Sequence, residues 1–253
     1  MTNIDQILPG RTTWIDMGSP DPAASAAFYS ALFGWEVQDL GPEAGGYHMA
    51  SVGGRFVAGL GPQQSPGQPY WTTYFGVESA EAAVAAISAA GGTVIMPAMD
   101  VMGAGRMAVA MDPTGAVFSV WQPLDHKGLG VHSVLGTHCW SELMTRDVDA
   151  AGAFYAKVFG WSIENITEMH YTLFKMGDEQ VGGMLTIDDK FPADMPANWV
   201  VYFYTEDIAG TVAKATSLGA GVIMPPTPIE GIGQFAVISD PQGAVFQLLQ
   251  PGS

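Results

Sequence analysis

The sequence predicts an α+β protein of four βαβββ units, paired two by two into tandem domains. An internal repeat is the first observation behind this. TTWIDMGSPDPAASAAFYSALFGWEV (12–37) returns as THCWSELMTRDVDAAGAFYAKVFGWSI (137–163), setting Phe154, Tyr155, Gly160 and Trp161 opposite Phe28, Tyr29, Gly34 and Trp35. After a small indel the echo continues. Trp71 and Tyr74 meet Trp199 and Tyr202, Met96-Pro97 meets Met224-Pro225, and Asp112-Pro113 with Gly115 meets Asp240-Pro241 with Gly243. Periodicity is the second observation: within each half, strand-like alternation gives way to capped helical runs and then to short apolar stretches broken by glycine. Domains at 10–123 and 136–251 follow, joined by a Gly-rich linker at 124–135.

Taken in order, Trp14 to Met17 alternates as a strand does, with Ile15 and Met17 on one side and Trp14 and Asp16 on the other. In PDPAASAAFYSALFG, Asp21 with Pro22 starts a helix and Gly34 ends it. GYHMASVGGRFVAGLG reads as two short strands around a Gly-Gly turn. YWTTYFGV opens the second unit as a strand, and ESAEAAVAAISAAGG is an Ala-rich helix stopped by glycines. TVIM, MAVAM and AVFSVW close the unit as three strands.

Composition limits the function classes. Of 253 residues, 48% are hydrophobic and 13% charged, which suits packed cores rather than a disordered chain. Nine basic residues stand against 25 acidic ones, a net charge of −16, so nothing attracts phosphate backbones or anionic lipid. Nucleic acid and membrane are therefore not expected partners. The opening MTNIDQILPG has neither a basic region nor an apolar core of the secretory kind, and the cytoplasm is the expected compartment. Cys139 is the single cysteine, which excludes an intrachain disulfide.

The paired βαβββ units, the FY…FGW helix ends and the DPxGxxF final strands resemble the vicinal oxygen chelate superfamily of glyoxalases, bleomycin-resistance proteins and extradiol dioxygenases. Within it the chain is similar to the tandem two-domain actinobacterial type, such as the mycobacterial antigens and "hydroxylase"-labelled proteins. The resemblance implies two glyoxalase-like domains whose curved, mostly antiparallel sheets surround a cavity. In metal-dependent members, His, Gln or Glu side chains from the first and last strands of each unit hold a divalent ion. Those positions fall here on Trp14 and Trp140, on Ser119 and Gln247, on Thr72 and Val200, and near Gly59 and Gly183. An indole N–H has no lone pair to offer and Val offers nothing, so no metal and no other cofactor is expected.

Histidines are the rival ligands. His126 and His132 lie in the linker, match no zinc spacing, and read as solvated. His138 stands two residues before Trp140 and shares its face if the strand begins that early. His48 and His170, in YHM and MHY, face either a pocket or solvent.

Strand parity sorts the remaining residues. Ile15, Met17, Phe75, Val77, Phe118 and Val120 form the set expected under the helices. The opposite set is Trp14, Asp16, Thr72, Tyr74, Ser119 and Trp121; in the second half it becomes Trp140, Glu142, Val200, Tyr202, Tyr204, Gln247 and Leu249. Aromatic walls with a few polar groups suit a flat small-molecule ligand. Trp14, Tyr74, Ser119, Trp121, Trp140, Tyr204 and Gln247 are the candidate substrate-binding residues. Glu142 and Asp16 are candidate general bases, and Tyr202 or Tyr74 a candidate donor to a developing oxyanion. The plainer alternative is that the tryptophans are core and that the carboxylates tie down a loop or accept Arg106 or Arg146.

Three functions remain open on the sequence. One is a metal-independent enzyme supporting cyclisation, isomerisation or hydroxylation of an aromatic or polyketide-like molecule in secondary metabolism. Another is a drug-binding protein of bleomycin-resistance type. The third is a glyoxalase handling methylglyoxal. The chain is expected to act as a monomer or homodimer.

Overall fold

The computed structural model describes residues 2–3, 9–64, 67–167 and 171–252. The first half runs β2 (Thr12–Ser19), α1 (Pro22–Phe33), β3 (Glu36–Asp39), β4 (His48–Val52), β5 (Arg55–Pro62), β6 (Tyr70–Gly76), α2 (Ala80–Ala89), β7 (Thr93–Val101), β8 (Gly105–Met111) and β9 (Val117–Pro123). Its counterpart runs β11 (His138–Thr145), α3 (Val148–Phe159), β12 (Ser162–Ile166), β13 (Tyr171–Met176), β14 (Glu179–Thr186), β15 (Asn198–Tyr204), α4 (Ile208–Ser217), β16 (Gly221–Ile229), β17 (Gly233–Ser239) and β18 (Val245–Pro251). Two short strands, β1 (Thr2–Asn3) and β10 (Val131–His132), pair with each other beside the junction.

Each half forms one open eight-stranded sheet. The orders are β3-β4-β5-β2-β6-β9-β8-β7 and β12-β13-β14-β11-β15-β18-β17-β16, so the two are copies of one topology. Pairing is antiparallel except at β2/β5, β6/β9, β11/β14 and β15/β18. This is the α+β architecture of four βαβββ units. The strand at 93–96 is longer than its apolar run: β7 continues through Pro97 to Val101, with register shifts at Val94/Met96 and Met96/Met99 accommodating the proline.

Local chemistry sets the elements. Asp21 and Asp147 cap α1 and α3 by accepting from Ala24 and Ala150, and Gly34 and Gly160 end these helices in left-handed backbone. Ile15, Met17, Phe75, Phe118 and Val120 are each 0–1% exposed under the helices, as strand parity requires.

The cores are shared between the halves. One cluster joins α1 residues Tyr29 and Phe33 to Phe203, Phe246 and Ile208 of the second half, and the other joins Phe75 and Phe118 to Tyr155, Phe174 and Trp199. Tyr29 donates to Asp240 at 2.9 Å and accepts from Trp71 Nε1; Tyr155 does the same with Asp112 and Trp199. Trp35 Nε1 donates to the Gly136 carbonyl and Trp161 Nε1 to that of Gly10. The residues most visibly repeated in the sequence are thus a double cross-brace. Among the described residues, no helix is long and apolar enough to cross a membrane.

Candidate functional site

With their apolar faces turned to the helices, the central strands carry a second set of side chains on the opposite face. Register places Trp14 beside Tyr74, Tyr74 beside Ser119, and Asp16 between Gly59 and Thr72. In the second half Trp140 stands beside Tyr202, Tyr202 beside Gln247, and Glu142 between Gly183 and Val200.

A carboxylate is the hub of each set. Tyr74 donates to Asp16 Oδ2 at 2.9 Å and Tyr47 at 3.2 Å, and Tyr47 accepts from Trp14 Nε1 at 3.0 Å. In the second half Tyr202 donates to Glu142 Oε1 at 3.0 Å, Tyr171 also hydrogen-bonds Glu142, and Trp140 Nε1 donates to Tyr171 at 2.8 Å. Burial dominates the electrostatics. It pushes Asp16 from 3.8 up to about 6 and Glu142 from 4.5 up to about 7, although the tyrosine hydrogen bonds pull both downward. The two arginines expected as partners are engaged elsewhere: Arg106 pairs with Glu81 and Asp100, and Arg146 donates to the carbonyls of Ile187, Pro192 and Ala193.

Tyr47 and Tyr171 are functional candidates that the sequence reading passed over. Their signal was the glycines on the neighbouring strands. A Cβ at Gly59 would lie 1.7 Å from the Tyr47 hydroxyl, and one at Gly183 would lie 1.8 Å from that of Tyr171. Glycine inside a strand marks such a close approach.

The same geometry tests for a metal. Where a ligand side chain would project from Gly59 or Gly183, a tyrosine hydroxyl already stands. Both indoles present N–H groups, and the tyrosines around each carboxylate donate to it. Among the described residues no three His, Cys, Asp or Glu side chains come together. This donor set does not fit a divalent ion.

The two sets differ in their surroundings. Trp140 is half-buried and packs, with Leu185, Phe191, Met195, Phe235 and Leu249, against a cluster of Met144, Ile187, Val200 and Tyr202. Gln247 Oε1 and its first-half counterpart Ser119 Oγ are both buried with no hydrogen-bond partner. Trp14 is 3% exposed because His126 covers it, their ring centroids 4.4 Å apart. The reading of His126 as a solvated linker residue is therefore corrected: the linker folds back on the first half and buries the imidazole among aromatic rings. His132 is half-buried, with Nδ1 on Ser133 Oγ. His138 begins β11, but a bulge before Trp140 turns it away, and its Nε2 meets Ser141 Oγ, which also accepts from Thr12 of the first half. His48 rests on the Gly46 carbonyl, and His170 lies outside the described residues. Trp121 donates to the His126 carbonyl. Tyr204 lines a surface groove of about 560 Å³ with Thr205, Glu206, Gln234 and Gln250, apart from the Glu142 cluster.

Residues 12–121 match the family model of a glyoxalase-like domain, and residues 138–248 that of the glyoxalase/bleomycin resistance protein/dioxygenase superfamily. The chain is 40% identical over 252 residues to the protein named "Putative glyoxylase CFP32" in Mycobacterium tuberculosis, covering 96% of this chain and 95% of that one. It is 36% identical to the anthracycline biosynthesis protein DnrV of Streptomyces peucetius, covering 96% and 94%. In fold it is similar to the Mn(II)-bound glyoxalase of Novosphingobium aromaticivorans, with a TM-score of 0.68 at 17% identity over 96% of this chain and 83% of that one. The 2,3-dioxygenase LapB of Pseudomonas sp. KL28 gives a TM-score of 0.68 at 14% identity, covering 100% and 94%.

Proposed function

Because the chain belongs to the glyoxalase/bleomycin resistance protein/dioxygenase superfamily, we propose that it is a metal-independent enzyme of that superfamily. It performs general acid–base chemistry on a flat aromatic, polyketide-like molecule. The observation that carries this reading is the Glu142 carboxyl, 5% exposed, held by two tyrosine hydroxyls and brought by burial to about 7. A base poised there accepts a proton at neutral pH and returns it.

The tyrosines complete the chemistry. While Glu142 is ionised, Tyr202 and Tyr171 donate to it. Once it takes a proton from the substrate, its demand for those donors falls, and they turn to the oxygen on which negative charge develops. Asp16 with Tyr74 and Tyr47 repeats the arrangement in the first half. Trp140 supplies a stacking face and Gln247 a polar contact for the ligand.

The substrate class is supported by the likeness to an anthracycline biosynthesis protein, since anthracyclines are polycyclic aromatics. A glyoxalase reaction is favoured by the name of the mycobacterial relative and opposed by the donor set described above. A binder of bleomycin-resistance type is the second reading, favoured by aromatic walls beside an acidic group. Chelator-treated protein incubated with a panel of polycyclic aromatic polyketides separates the two. Conversion seen by mass spectrometry supports the enzyme; saturable binding without any new product supports the binder.

A further inference from the structure

The linker is built into the first-half site rather than draped across it. Leu129 N–H donates to the Thr13 carbonyl at 2.7 Å and Gly130 N–H to that of Phe56 at 2.8 Å, tying the segment between β2 and β5. Leu129 and Val131 are 3% and 2% exposed. Gly128 is required here: its φ is +89°, and a Cβ on it would lie 2.2 Å from the Thr13 carbonyl oxygen. His126 N–H donates to the Ala104 carbonyl, and Trp121 Nε1 donates to the carbonyl of His126. Four hydrogen bonds and one left-handed glycine thus fix the segment that carries the imidazole.

That imidazole fills an aromatic cage. Its ring meets Trp14 edge-on at 4.4 Å and 87°, Phe56 at 5.6 Å, and Trp121 at 5.7 Å. Trp14 is the residue whose indole N–H leads through Tyr47 to Asp16, so the ring packs on the first member of the hydrogen-bonded chain that ends on that carboxylate. His126 Nε2 is buried without a hydrogen-bond partner, an exception to the rule for buried polar atoms, so this edge of the ring is held by packing alone. Burial also holds the imidazole neutral, at about 4.

The second half lacks this cage. Parallel register places Gln180 where Phe56 stands, and Leu249 takes the place of Trp121. Among the described residues no ring stacks on Trp140, which keeps partial exposure.

We infer that the cage of Trp14, Phe56 and Trp121 in the first half is a binding site for one small neutral heteroaromatic ring, filled by the chain's own His126. The two repeats thereby differ. In the first the linker supplies the ring that covers Trp14; in the second Trp140 stays half-buried.

Imidazole itself is the probe. Removing the side chain in His126→Gly empties the cage, and free imidazole refills it. Thermal melting of His126→Gly is expected to rise saturably with imidazole, by about 2–4 °C, while the wild type does not respond. Trp fluorescence of the variant shifts over the same range, because Trp14 and Trp121 line the cage. His126→Phe, with a ring in place, melts near the wild type and ignores imidazole. Equal responses of His126→Gly and wild type would overturn the inference. Should His126→Gly fail to fold, NMR of the wild type decides: ring protons of His126 shifted upfield by the surrounding aromatics support a filled cage. Unshifted protons on a ring titrating like solvated histidine would refute it. No readout here depends on turnover, so it fails or stands apart from the proposed chemistry.

Discussion

The Tyr29 hydroxyl donates to Asp240, 211 residues away in the sequence, at 2.9 Å, and Tyr155 donates to Asp112 at the same distance in return. Each tyrosine comes from the first helix of one half, and each aspartate from the last hairpin of the other. Neither domain therefore completes its own core. The paired FY and DP motifs mark where the halves hold each other.

Tyr29→Phe is expected to destabilise the protein by about 1–3 kcal/mol, since it leaves Asp240 Oδ2 and the Trp71 indole N–H without that partner. Tyr155→Phe should cost a similar amount through Asp112 and Trp199. Because the tyrosines sit in separate clusters, the double variant should lose the sum. Urea unfolding monitored by Trp fluorescence reads all three. A double variant no worse than either single one would show the two braces to be one unit.

This brace explains how much was legible. Binary pattern, helix caps and the repeat sufficed for four βαβββ units, because those signals are local. Strand parity likewise brought Trp14, Asp16, Tyr74 and Ser119 to one face, and Trp140, Glu142, Tyr202 and Gln247 to another. It could not find Tyr47 and Tyr171, which reach the carboxylates across strands from 31 and 29 residues away in the numbering, Tyr47 from outside any strand. His126 was misread for a related reason: linker composition reports turn propensity, not where the folded chain lays the segment. His138 was misplaced by a single bulge, which reverses parity without leaving a mark in the pattern.

Gly183→Ala should disturb the site without touching a polar atom. Its methyl would compete with the Tyr171 hydroxyl for the same space, so Tyr171 must move. Glu142 then loses a hydrogen bond that pulls its pKa down, and the group should titrate above its present value of about 7. Tyr171→Phe should give the same upward shift with less loss of stability. Carbon-13 NMR of labelled Glu side chains measures both; an unshifted Glu142 in each would remove Tyr171 from the account.

Stability should carry the signature of the buried acid. Glu142 titrates near 7 in the folded chain against 4.5 ordinarily, so its contribution is fully present below pH 4.5 and is lost as the pH rises through 7. Glu142→Gln removes this dependence. Relative to wild type, the variant should gain stability between pH 4.5 and 7, at up to about 1.4 kcal/mol per pH unit, and hold that gain above. Asp16→Asn should do the same between 3.8 and about 6. Unfolding curves taken across this range test it; parallel curves for variant and wild type would mean the carboxyls titrate normally.

Metal should be dispensable. Protein incubated with Mn(II), Fe(II), Ni(II) or Zn(II) and then desalted is expected to hold none of them stoichiometrically, and chelator should leave turnover unchanged. Elemental analysis checks the first point. One tightly held ion per chain, lost on changing Asp16 or Glu142, would show that the tyrosines give way to a metal.

The proton transfer assigned to Glu142 is tested most directly by Glu142→Gln, which keeps the shape and hydrogen-bonding reach of the side chain and removes its basicity. With one polycyclic aromatic substrate, kcat should fall by roughly a hundredfold or more while the dissociation constant changes little. Trp140→Ala should do the reverse, weakening binding through lost stacking area. Turnover and affinity both unchanged in Glu142→Gln would contradict the assignment, and would make the carboxyl part of the scaffold.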